Sequence, residues 1–445
     1  MTVVVPGAIE EAESSETRAA LERRFSVADG KLVNEITVGA RSYRSSVPAE
    51  TSEPSADVLG DWWKAYLRGV RPTSEARDTI VPVRSAELFC GPGGLALGFN
   101  QACAELGLEP RSSAAADQDA EAAAVYRRHN ATSAVTTDSV SVLVDYRVDG
   151  AGADCSFVYE PEVVDPTWAD LVGQVDVLLA GPPCQGHSNL NNRTRYSDRR
   201  NQLYLTVPAM AVALRAPVVI IENVRAVIHD RKQVVQSTET LLRRAGYEVV
   251  QGVVKAADLG WPQRRERFFL VARIDRAPLP IDEVTRALAS TSRDIWWAIG
   301  DIEDAPAEDF MSVQPEFSEE NRRRIDWLFD NDAHDLPPSE RPECHREGTT
   351  YNAVYGRLHP NLPAPTITTG FMTPGRGRYI HPTRRRVLTP REAARLQGFP
   401  DTYDFRPDPT GIPAKAKLAK WIGDAVPMPL GHVAALAALA PGWGP

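Results

Sequence analysis

Short apolar runs recur along the chain from about residue 81, and each is bounded by glycine, proline or aspartate and followed by a stretch with helical spacing. The runs cover residues 85–89, 113–116, 175–180, 217–221 and 268–272. Strands that are apolar throughout are typical of a parallel sheet with helices on both faces. The pattern therefore predicts an α/β fold with a doubly wound, mostly parallel sheet, whose ligands bind beyond the carboxyl ends of the strands.

The N-terminal part of the chain has a different pattern. Residues 8–25 have the composition of a helix, residues 31–44 alternate as a hairpin does, and residues 61–70 predict a short amphipathic helix. We interpret the aromatic residues of that last helix as packing residues: Trp62, Trp63 and Tyr66. No candidate chemistry lies in residues 1–78, which we treat as an N-terminal extension of unknown role.

Length and composition narrow the class of protein. The 445 residues favour one large domain and a smaller one, and a 43% hydrophobic and 24% charged composition is that of a soluble globular protein. No apolar run reaches the roughly 18 residues of a membrane span, and no basic leader opens the chain. Five scattered cysteines predict a reducing compartment, and no cysteine or histidine spacing predicts a metal site.

Charge is unevenly distributed. A formal net charge of −9 argues mildly against a protein that coats nucleic acid non-specifically. Two local runs are nevertheless basic, at residues 193–200 and 376–395. On charge alone, two solvated surfaces are the favoured interpretation, ahead of a polyanion site, and the motifs around the runs change that weighting.

A glycine-rich turn follows the first apolar run, in Phe89-Cys90-Gly91-Pro92-Gly93-Gly94. Glycines at a strand-to-helix turn let the backbone approach a ligand closely, and the lysine of a phosphate-binding loop is missing. Asp117 lies at the distance from these glycines that suits a contact with ribose hydroxyls, and Asp138 could accept a hydrogen bond from an adenine amino group. Together these residues predict an adenosine pocket, although each acid alone could be a helix cap.

A cysteine follows another apolar run, in Gly181-Pro182-Pro183-Cys184-Gln185. Two prolines would hold Cys184 rigidly at the edge of the sheet, which suits a nucleophile better than an inert thiol. Glu222 directly follows the next apolar run and could donate a proton to a ring nitrogen if its pKa is raised. Arginines at 264, 265 and 267 precede the last run and could orient a carboxylate or grip phosphate, or form a solvated turn.

In this order the four elements resemble the cytosine C5 DNA methyltransferase family of bacterial type. The segments 386–400 and 422–427 are similar to the family's support for its target-recognition domain and to its final cofactor-side motif. The resemblance implies the fold of the S-adenosylmethionine-dependent methyltransferases. It also implies methyl transfer to C5 of a cytosine flipped out of DNA.

The resemblance also implies site residues, in three groups. Cys184, Glu222, Arg265 and Arg267 would be catalytic. The S-adenosylmethionine site would use Phe89, Gly91, Gly93, Gly94, Asp117, Asp138, Pro183, Asp424 and Val426. Nucleic acid would contact Gln185, Ser188, Arg193, Arg195, Arg199, Arg200, Thr368, Arg376 and Arg378.

Domains and partners follow from the same resemblance. Residues 79–274 would form the catalytic domain, 275–380 a smaller, irregular target-recognition region, and 381–445 a segment that returns to the catalytic domain. We expect a monomer in the bacterial cytoplasm or nucleoid, acting on double-stranded DNA, with a cognate restriction or defence nuclease as a candidate partner.

Two departures and three alternatives stay open at this point. Asp424 replaces the asparagine usual in the final motif, which could disfavour the Cys184 thiolate, and residues 145–174 form a long acidic segment. The same motifs occur in enzymes that methylate a tRNA cytosine, and a catalytically silent DNA-binding relative would share the fold. A different adenosine-cofactor enzyme with a structural cysteine fits the motif pair around Cys184 and Glu222 less well.

Overall fold

The computed structural model describes residues 21–50, 56–74, 81–183, 203–304, 309–346 and 353–442. The strands within these ranges are β1 (Leu21–Ala28), β2 (Lys31–Val38), β3 (Arg41–Pro48), β4 (Thr73–Ser74), β5 (Val81–Leu88), β6 (Leu108–Ala116), β7 (Ala134–Thr136), β8 (Val144–Asp145), β9 (Val148–Asp149), β10 (Ser156–Phe157), β11 (Glu162–Val163), β12 (Val177–Ala180), β13 (Val218–Asn223), β14 (Glu248–Lys255), β15 (Gln263–Arg264), β16 (Glu266–Arg273) and β17 (Ala364–Pro365). The α-helices are α1 (Val58–Leu67), α2 (Gly94–Glu105), α3 (Ala120–Asn130), α4 (Pro166–Ala169), α5 (Leu203–Leu214), α6 (Val234–Arg244), α7 (Ile281–Ala287), α8 (Ile295–Ile299), α9 (Glu319–Asp330), α10 (Pro390–Gln397), α11 (Lys415–Asp424) and α12 (Met428–Leu439).

The central sheet has the order β14-β16-β13-β12-β5-β6-β7. The strands from β13 to β7 run parallel, whereas β16 is antiparallel to both of its neighbours. Every residue of β12 and β13 is buried, as expected of strands covered on both faces. The sheet confirms the predicted α/β class and adds an antiparallel edge.

Helices cover both faces of this sheet. On one face α2, α7 and α12 share a core with β5, β12, β13 and β16, and α2 and α12 pack against each other. On the other face α5 and α6 form a second core. The long acidic segment that follows residue 144 folds into the short strand pairs β8–β11 and β9–β10, and these pack on α5 and α6. This segment therefore adds a further layer outside the helices α5 and α6 on this face of the sheet.

The N-terminal extension forms an antiparallel sheet, β1-β2-β3-β4. The predicted hairpin and the predicted helix α1 are both confirmed. The predicted helix over residues 8–25 is wrong where the structure describes it, because residues 21–25 belong to β1, which pairs with β2 along its whole length. Residues 8–20 lie outside the described residues. The helical composition of this segment is overridden by the hydrogen bonds and burial that the neighbouring strand provides.

The extension is joined to the cofactor-side core by buried contacts. Trp62 and Trp63 are 1% and 4% exposed, and the ring of Trp63 meets those of Trp261 and His432 edge to face. Arg23 of β1 donates to Glu105 at the end of α2 at 2.9 Å, and His432 of α12 lies 3.0 Å from the same carboxylate. The aromatic residues of α1 therefore pack as predicted, and the extension shares the core of the main sheet.

The region predicted for target recognition divides between several cores. α7 packs against β14 and α12 on the large sheet, and α8 packs with α10. A smaller cluster of its own contains Ile325, Leu328, Val354, Ile380 and Val387. This smaller cluster draws its residues from the stretch between Phe317 and Val387.

The helical stretch Lys415–Leu439 is long and apolar enough to be a candidate membrane span by length and composition alone. Nearly all of its most apolar window is buried inside the protein. Core helices pass the same test, so the stretch is weak evidence for a membrane.

Candidate active site

A cavity of about 500 Å³ opens at the carboxyl ends of β5, β6, β12 and β13, the sheet edge where the sequence predicts ligands. Ten of the predicted site residues line it: Phe89, Gly91, Gly94, Asp117, Pro183, Glu222, Arg265, Arg267, Asp424 and Val426. The volume suits a ligand of the size of a nucleoside with a short side chain. The sequence motifs, far apart along the chain, therefore meet in one cavity.

The glycine-rich turn between β5 and α2 depends on a left-handed backbone. Phe89, Gly91 and Gly93 have φ angles of 58°, 51° and 97°, a region that non-glycine residues rarely occupy. Gly94 packs so closely on Val426 that a Cβ would lie 2.6 Å from the Val426 carbonyl oxygen. The turn thus brings the N-terminus of α2 to the cavity and leaves no room for larger residues.

Asp117 fixes the shape of this turn. Its carboxylate accepts from the backbone N–H of Gly91 and of Asp119, both at 2.8 Å. Burial raises the pKa of Asp117, although both of these hydrogen bonds oppose the shift. Its position on the cavity wall beside the glycines suits the ribose contact that the resemblance implies.

Asp138, the predicted adenine contact, is exposed and is not among the described residues that line the cavity. The next two residues, Ser139 and Val140, line the cavity instead. The predicted role of Asp138 therefore stays a prediction. Gln118 and Asp119 also line the cavity, and their position between β6 and α3 was the signal in the sequence.

The wall beside β12 leads to the predicted nucleophile. Gly181, Pro182 and Pro183 line the cavity, and Asn223 holds this segment by donating from Nδ2 to the Pro182 carbonyl at 3.1 Å. Cys184 itself lies outside the described residues. The described backbone therefore reaches the cavity wall one residue before the cysteine.

Glu222 and Arg267 form an ion pair in the cavity, with Oε1 2.7 Å from Nε. Glu222 is 7% exposed, and burial raises the pKa of its carboxyl even though Arg267 and Arg265 lower it. Burial outweighs both arginines because removing the carboxylate from water costs more than partly screened attraction returns. A carboxyl with a raised pKa at this position fits the proton donor that the sequence predicted.

Arg265 lies beside this pair but is committed to the backbone. Its guanidinium donates to the carbonyls of Ile367, Gly423 and Ala425 at 2.6, 2.9 and 3.1 Å, and the residue is 2% exposed. These bonds fasten the segments around residues 367 and 424 to the start of β16. These contacts give Arg265 a positioning role beside the cavity, and the catalytic role predicted for it stays a prediction.

Asp424 and Val426 of the final motif also line the cavity, and Val426 packs on Gly94 of the glycine-rich turn. Asp424 pairs with Lys420, one helical turn earlier, at 2.9 Å. Gly423 lies against the backbone of residues 368 and 369, where a Cβ would come within 2.3 Å of the Thr369 nitrogen. The added charge of Asp424 is thus neutralised locally. Lys420 was missed in the sequence, although its spacing of four residues from Asp424 was a signal.

Most residues predicted to contact nucleic acid lie outside the described residues: Gln185, Ser188, Arg193, Arg195, Arg199 and Arg200. Thr368 shares a hydrogen bond of 2.8 Å with the Tyr379 hydroxyl. Arg378 donates to the carbonyls of His334 and Arg357, both at 2.9 Å, and pairs with Asp335. These contacts give Arg378 a structural role, and its predicted contact with nucleic acid stays a prediction.

The second basic run, residues 376–395, is largely neutralised. Its arginines pair with acidic residues as follows: Arg384 with Glu303 and Asp304, Arg385 with Asp326 and Asp330, Arg386 with Glu392, Arg391 with Asp309, and Arg395 with Asp301 and Asp401. Arg376 is exposed, and its side chain lies across Gly370. Within the described part of this run, Arg376 is the cation with the most freedom to meet a phosphate.

Comparison with known proteins places this site in a family context. Residues 83–438 match the family model described as C-5 cytosine-specific DNA methylase. The chain is 37% identical to the Type II methyltransferase M1.BsuMI of Bacillus subtilis over 82% of each chain. It is 30% identical to the Type II methylase M.HgiDII of Herpetosiphon aurantiacus over 78% of this chain and 93% of that protein.

Solved structures of similar fold include two methyltransferases. One is a putative DNA modification methyltransferase encoded within an E. coli prophage, with a TM-score of 0.51, 22% identity and coverage of 80% of this chain and 98% of the other. The second is the S. pombe Dnmt2 methyltransferase, with a TM-score of 0.52, 16% identity and coverage of 81% and 99%. At these identities the two structures support the fold alone.

Proposed function

The chain belongs to the C-5 cytosine-specific DNA methylase family, and we propose that it methylates cytosine C5 in DNA through a covalent bond between Cys184 and C6. S-adenosylmethionine supplies the methyl group. The observation that carries the proposal is the buried Glu222–Arg267 pair, which faces the same cavity as the glycine-rich turn and the segment leading to Cys184. A base can reach such a cavity only after it leaves the stacked duplex.

The residues divide the work by chemistry. The Cys184 thiolate adds to C6 of the flipped cytosine, while Glu222 donates a proton to N3, and C5 thereby becomes nucleophilic. After methyl transfer the C5 proton leaves to solvent, the bond between C6 and sulfur breaks to release the thiolate, and N3 returns its proton to Glu222, which restores the ring. Arg267 orients Glu222 and the ring, and Arg265 holds the backbone around both.

The residues of the cavity fit the adenosine part of the cofactor. The backbone of Phe89 and of glycines 91, 93 and 94 would lie close to the cofactor. Asp117 would accept hydrogen bonds from the ribose hydroxyls. Pro183, Asp424 and Val426 would complete the wall, with Asp138 at the adenine end. Gly94 keeps the turn in close contact with the final motif, because a larger residue would collide with the backbone of Val426.

Arg376 and Thr368, together with Gln185, Ser188, Arg193, Arg195, Arg199 and Arg200, would contact the nucleic acid. The arginine contacts to phosphate would position the duplex, whereas the region between residues 275 and 380 would read the sequence at base edges. We further propose a monomer that works in the bacterial cytoplasm or nucleoid beside a cognate restriction or defence nuclease. The Type II names of the relatives support that setting.

Transfer of a labelled methyl group from S-adenosylmethionine tests the proposal directly. Duplex DNA, tRNA and a duplex without cytosine serve as acceptors, and the modified nucleoside is identified after digestion. We expect 5-methylcytosine from the cytosine-containing duplex alone. Labelling of tRNA in preference to DNA would favour the RNA alternative, and binding of DNA without any transfer would favour a silent relative.

A further inference from the structure

Acidic and basic side chains both face the cavity, and burial raises the pKa of one of the acids, Glu87, to about 8. Among the described residues that line it, the acidic ones are Glu87, Asp117, Asp119, Glu222 and Asp424, and the basic ones are Arg265, Arg267 and Lys420. S-adenosylmethionine carries two positive centres, a sulfonium and an ammonium, together with one carboxylate. The acids suit the two positive centres, but the carboxylate would be repelled unless a cation lies beside it.

Two of the three cations are already committed. Arg267 is paired with Glu222, and Arg265 donates to three backbone carbonyls while 2% exposed. Moving either guanidinium toward the cofactor would leave a buried carboxylate or buried carbonyls without their donors, which is costly. Among the described residues of the wall, this leaves Lys420 as the cation that can meet a new anion.

Lys420 is held at the wall by the helix that carries it. The neighbouring Trp421 donates from Nε1 to Asp119 at 2.8 Å, and Gly423 packs on the backbone of residues 368 and 369. The Lys420 ammonium lies 2.9 Å from Asp424, and its side chain is 54% exposed. Asp424, Asp117 and Asp119 raise the pKa of Lys420 against the effect of burial, so the ammonium stays charged.

We propose that Lys420, held by Asp424, binds the carboxylate at the amino-acid end of S-adenosylmethionine. This inference rests on the proposed function, because it needs that cofactor in the cavity. It also gives the unusual Asp424 a purpose. An acid replaces the family's neutral asparagine here because it positions a lysine, and the ion pair presents its positive end to the cofactor.

The test compares two ligands that share the adenosine thioether but differ at the amino-acid end. S-adenosylhomocysteine has the carboxylate and ammonium, whereas methylthioadenosine has neither. Calorimetry measures the binding of both to the full chain and to three variants: K420M, K420R and K417M. Lys417 lies on the same helix as Lys420, pairs with Glu121 of α3 and does not line the cavity, so K417M is a matched control.

We expect K420M to weaken S-adenosylhomocysteine binding by about 10-fold or more, the effect of one charge-assisted hydrogen bond. Methylthioadenosine binding should change less than about twofold, K420R should recover most of the loss, and K417M should bind as the unchanged chain does. An equal loss for both ligands, or no loss for either, overturns the inference while leaving the cofactor assignment intact. Failure of the unchanged chain to bind S-adenosylhomocysteine would overturn the cofactor assignment, and this inference with it.

Discussion

At the scale of single residues, the chemistry depends on which charged groups are buried and what they meet. Glu222 is paired with Arg267, yet burial keeps the pKa of its carboxyl above the ordinary value. Arg265, two residues earlier in the chain than Arg267, donates hydrogen bonds to backbone carbonyls. Two arginines of one motif thus have different contacts, because Arg265 lies between β15 and β16 and meets backbone carbonyls, whereas Arg267 lies in β16 and meets Glu222 of β13.

Replacing Glu222 by glutamine tests the proton donor. Glu222→Gln keeps the shape and the contact with Arg267 but cannot donate a carboxyl proton. We expect the single-turnover rate of methyl transfer to fall by about 10²-fold or more, with cofactor binding unchanged within about twofold. Glu266→Gln is the control, because Glu266 is a neighbouring glutamate that pairs with Arg225 at the surface. An unaltered rate in Glu222→Gln would remove this residue from the mechanism.

Glu87 predicts a dependence of stability on pH. Burial raises its pKa to about 8 against the hydrogen bond from Tyr126, which lowers it, and the negative charge of Asp117 adds a smaller rise. The folded chain therefore holds a proton that the unfolded chain releases above its ordinary pKa of 4.5. This carboxyl destabilises the folded chain increasingly from about pH 4.5 to 8, by up to roughly 3 kcal/mol at pH 7.

Glu87→Gln removes that titration. The free energy of unfolding of the variant, relative to the unchanged chain, should rise with pH and level off near pH 8. Urea unfolding of both proteins at pH 5, 6.5 and 8 measures it. Parallel stability profiles of the two proteins would contradict a raised pKa at Glu87.

The sequence located the chemistry but not the geometry of its side chains. Cys184, Glu222 and the glycines were recognisable because each follows a short apolar strand. The commitment of Arg378 to His334 and Asp335, and of Arg265 to three carbonyls, depends on segments far away in the chain. Such partners have no local signal, so sequence alone assigned both arginines to ligands.

At the scale of elements, the N-terminal strands are tied to the cofactor-side helix by a buried ion pair. Arg23 of β1 meets Glu105 at the end of α2, with side chains 6% and 0% exposed. Burial would raise the pKa of Glu105, but Arg23 and His432 lower it to about 2. The carboxylate therefore stabilises the folded chain above its ordinary pKa, and this contribution is lost as the pH falls toward 2.

Arg23→Met leaves Glu105 buried without one of its cations. We expect the free energy of unfolding to fall by about 3–5 kcal/mol at neutral pH, the usual result of breaking a buried pair from one side. Arg24→Met, at the neighbouring position of β1, removes an exposed pair with Glu22 and should cost less than about 1 kcal/mol. An equal fall in the free energy of unfolding in the two variants would show that the buried pair of Arg23 and Glu105 stabilises the folded chain no more than the exposed pair does.

Element types were predictable where periodicity is strong, and boundaries and edges were not. The apolar runs gave β5, β6, β12, β13 and β16, but the antiparallel β14 was not predicted. The helical composition of residues 21–25 led to a wrong prediction, because β2 provides backbone hydrogen bonds to this segment that its own helix propensity does not include. The strand that pairs with a segment decides whether that segment becomes a helix or a strand, and this partner lies outside the short stretch of sequence whose pattern is analysed.

At the scale of the whole molecule, charge is arranged so that little of the basic run stays free for DNA. Arginines 384, 385, 391 and 395 are neutralised by acids from residues 301–335 and 401. These pairs fasten the segment that supports the smaller cluster to the large core. The net charge of −9 and this internal pairing both limit non-specific binding.

Arg376 is expected to be a phosphate contact. Arg376→Ala should weaken duplex binding to a similar degree for different sequences and lower the slope of log K against log salt by about 1. Arg276→Ala is the control, since Arg276 pairs with Asp275 beyond the far end of β16. Titrations at several salt concentrations measure both slopes, and a slope unchanged by Arg376→Ala would place this residue outside the DNA interface.

The most direct test of the central claim is covalent trapping on a duplex that carries 5-fluorocytosine, in the presence of S-adenosylmethionine. Fluorine at C5 cannot leave as a proton does, so the thiolate stays bonded to C6. The unchanged chain should form a complex that survives denaturation, with mass spectrometry locating the bond at Cys184, and Cys184→Ala should form none. A complex formed by Cys184→Ala, or full methylation of ordinary DNA by that variant, would contradict the proposed mechanism.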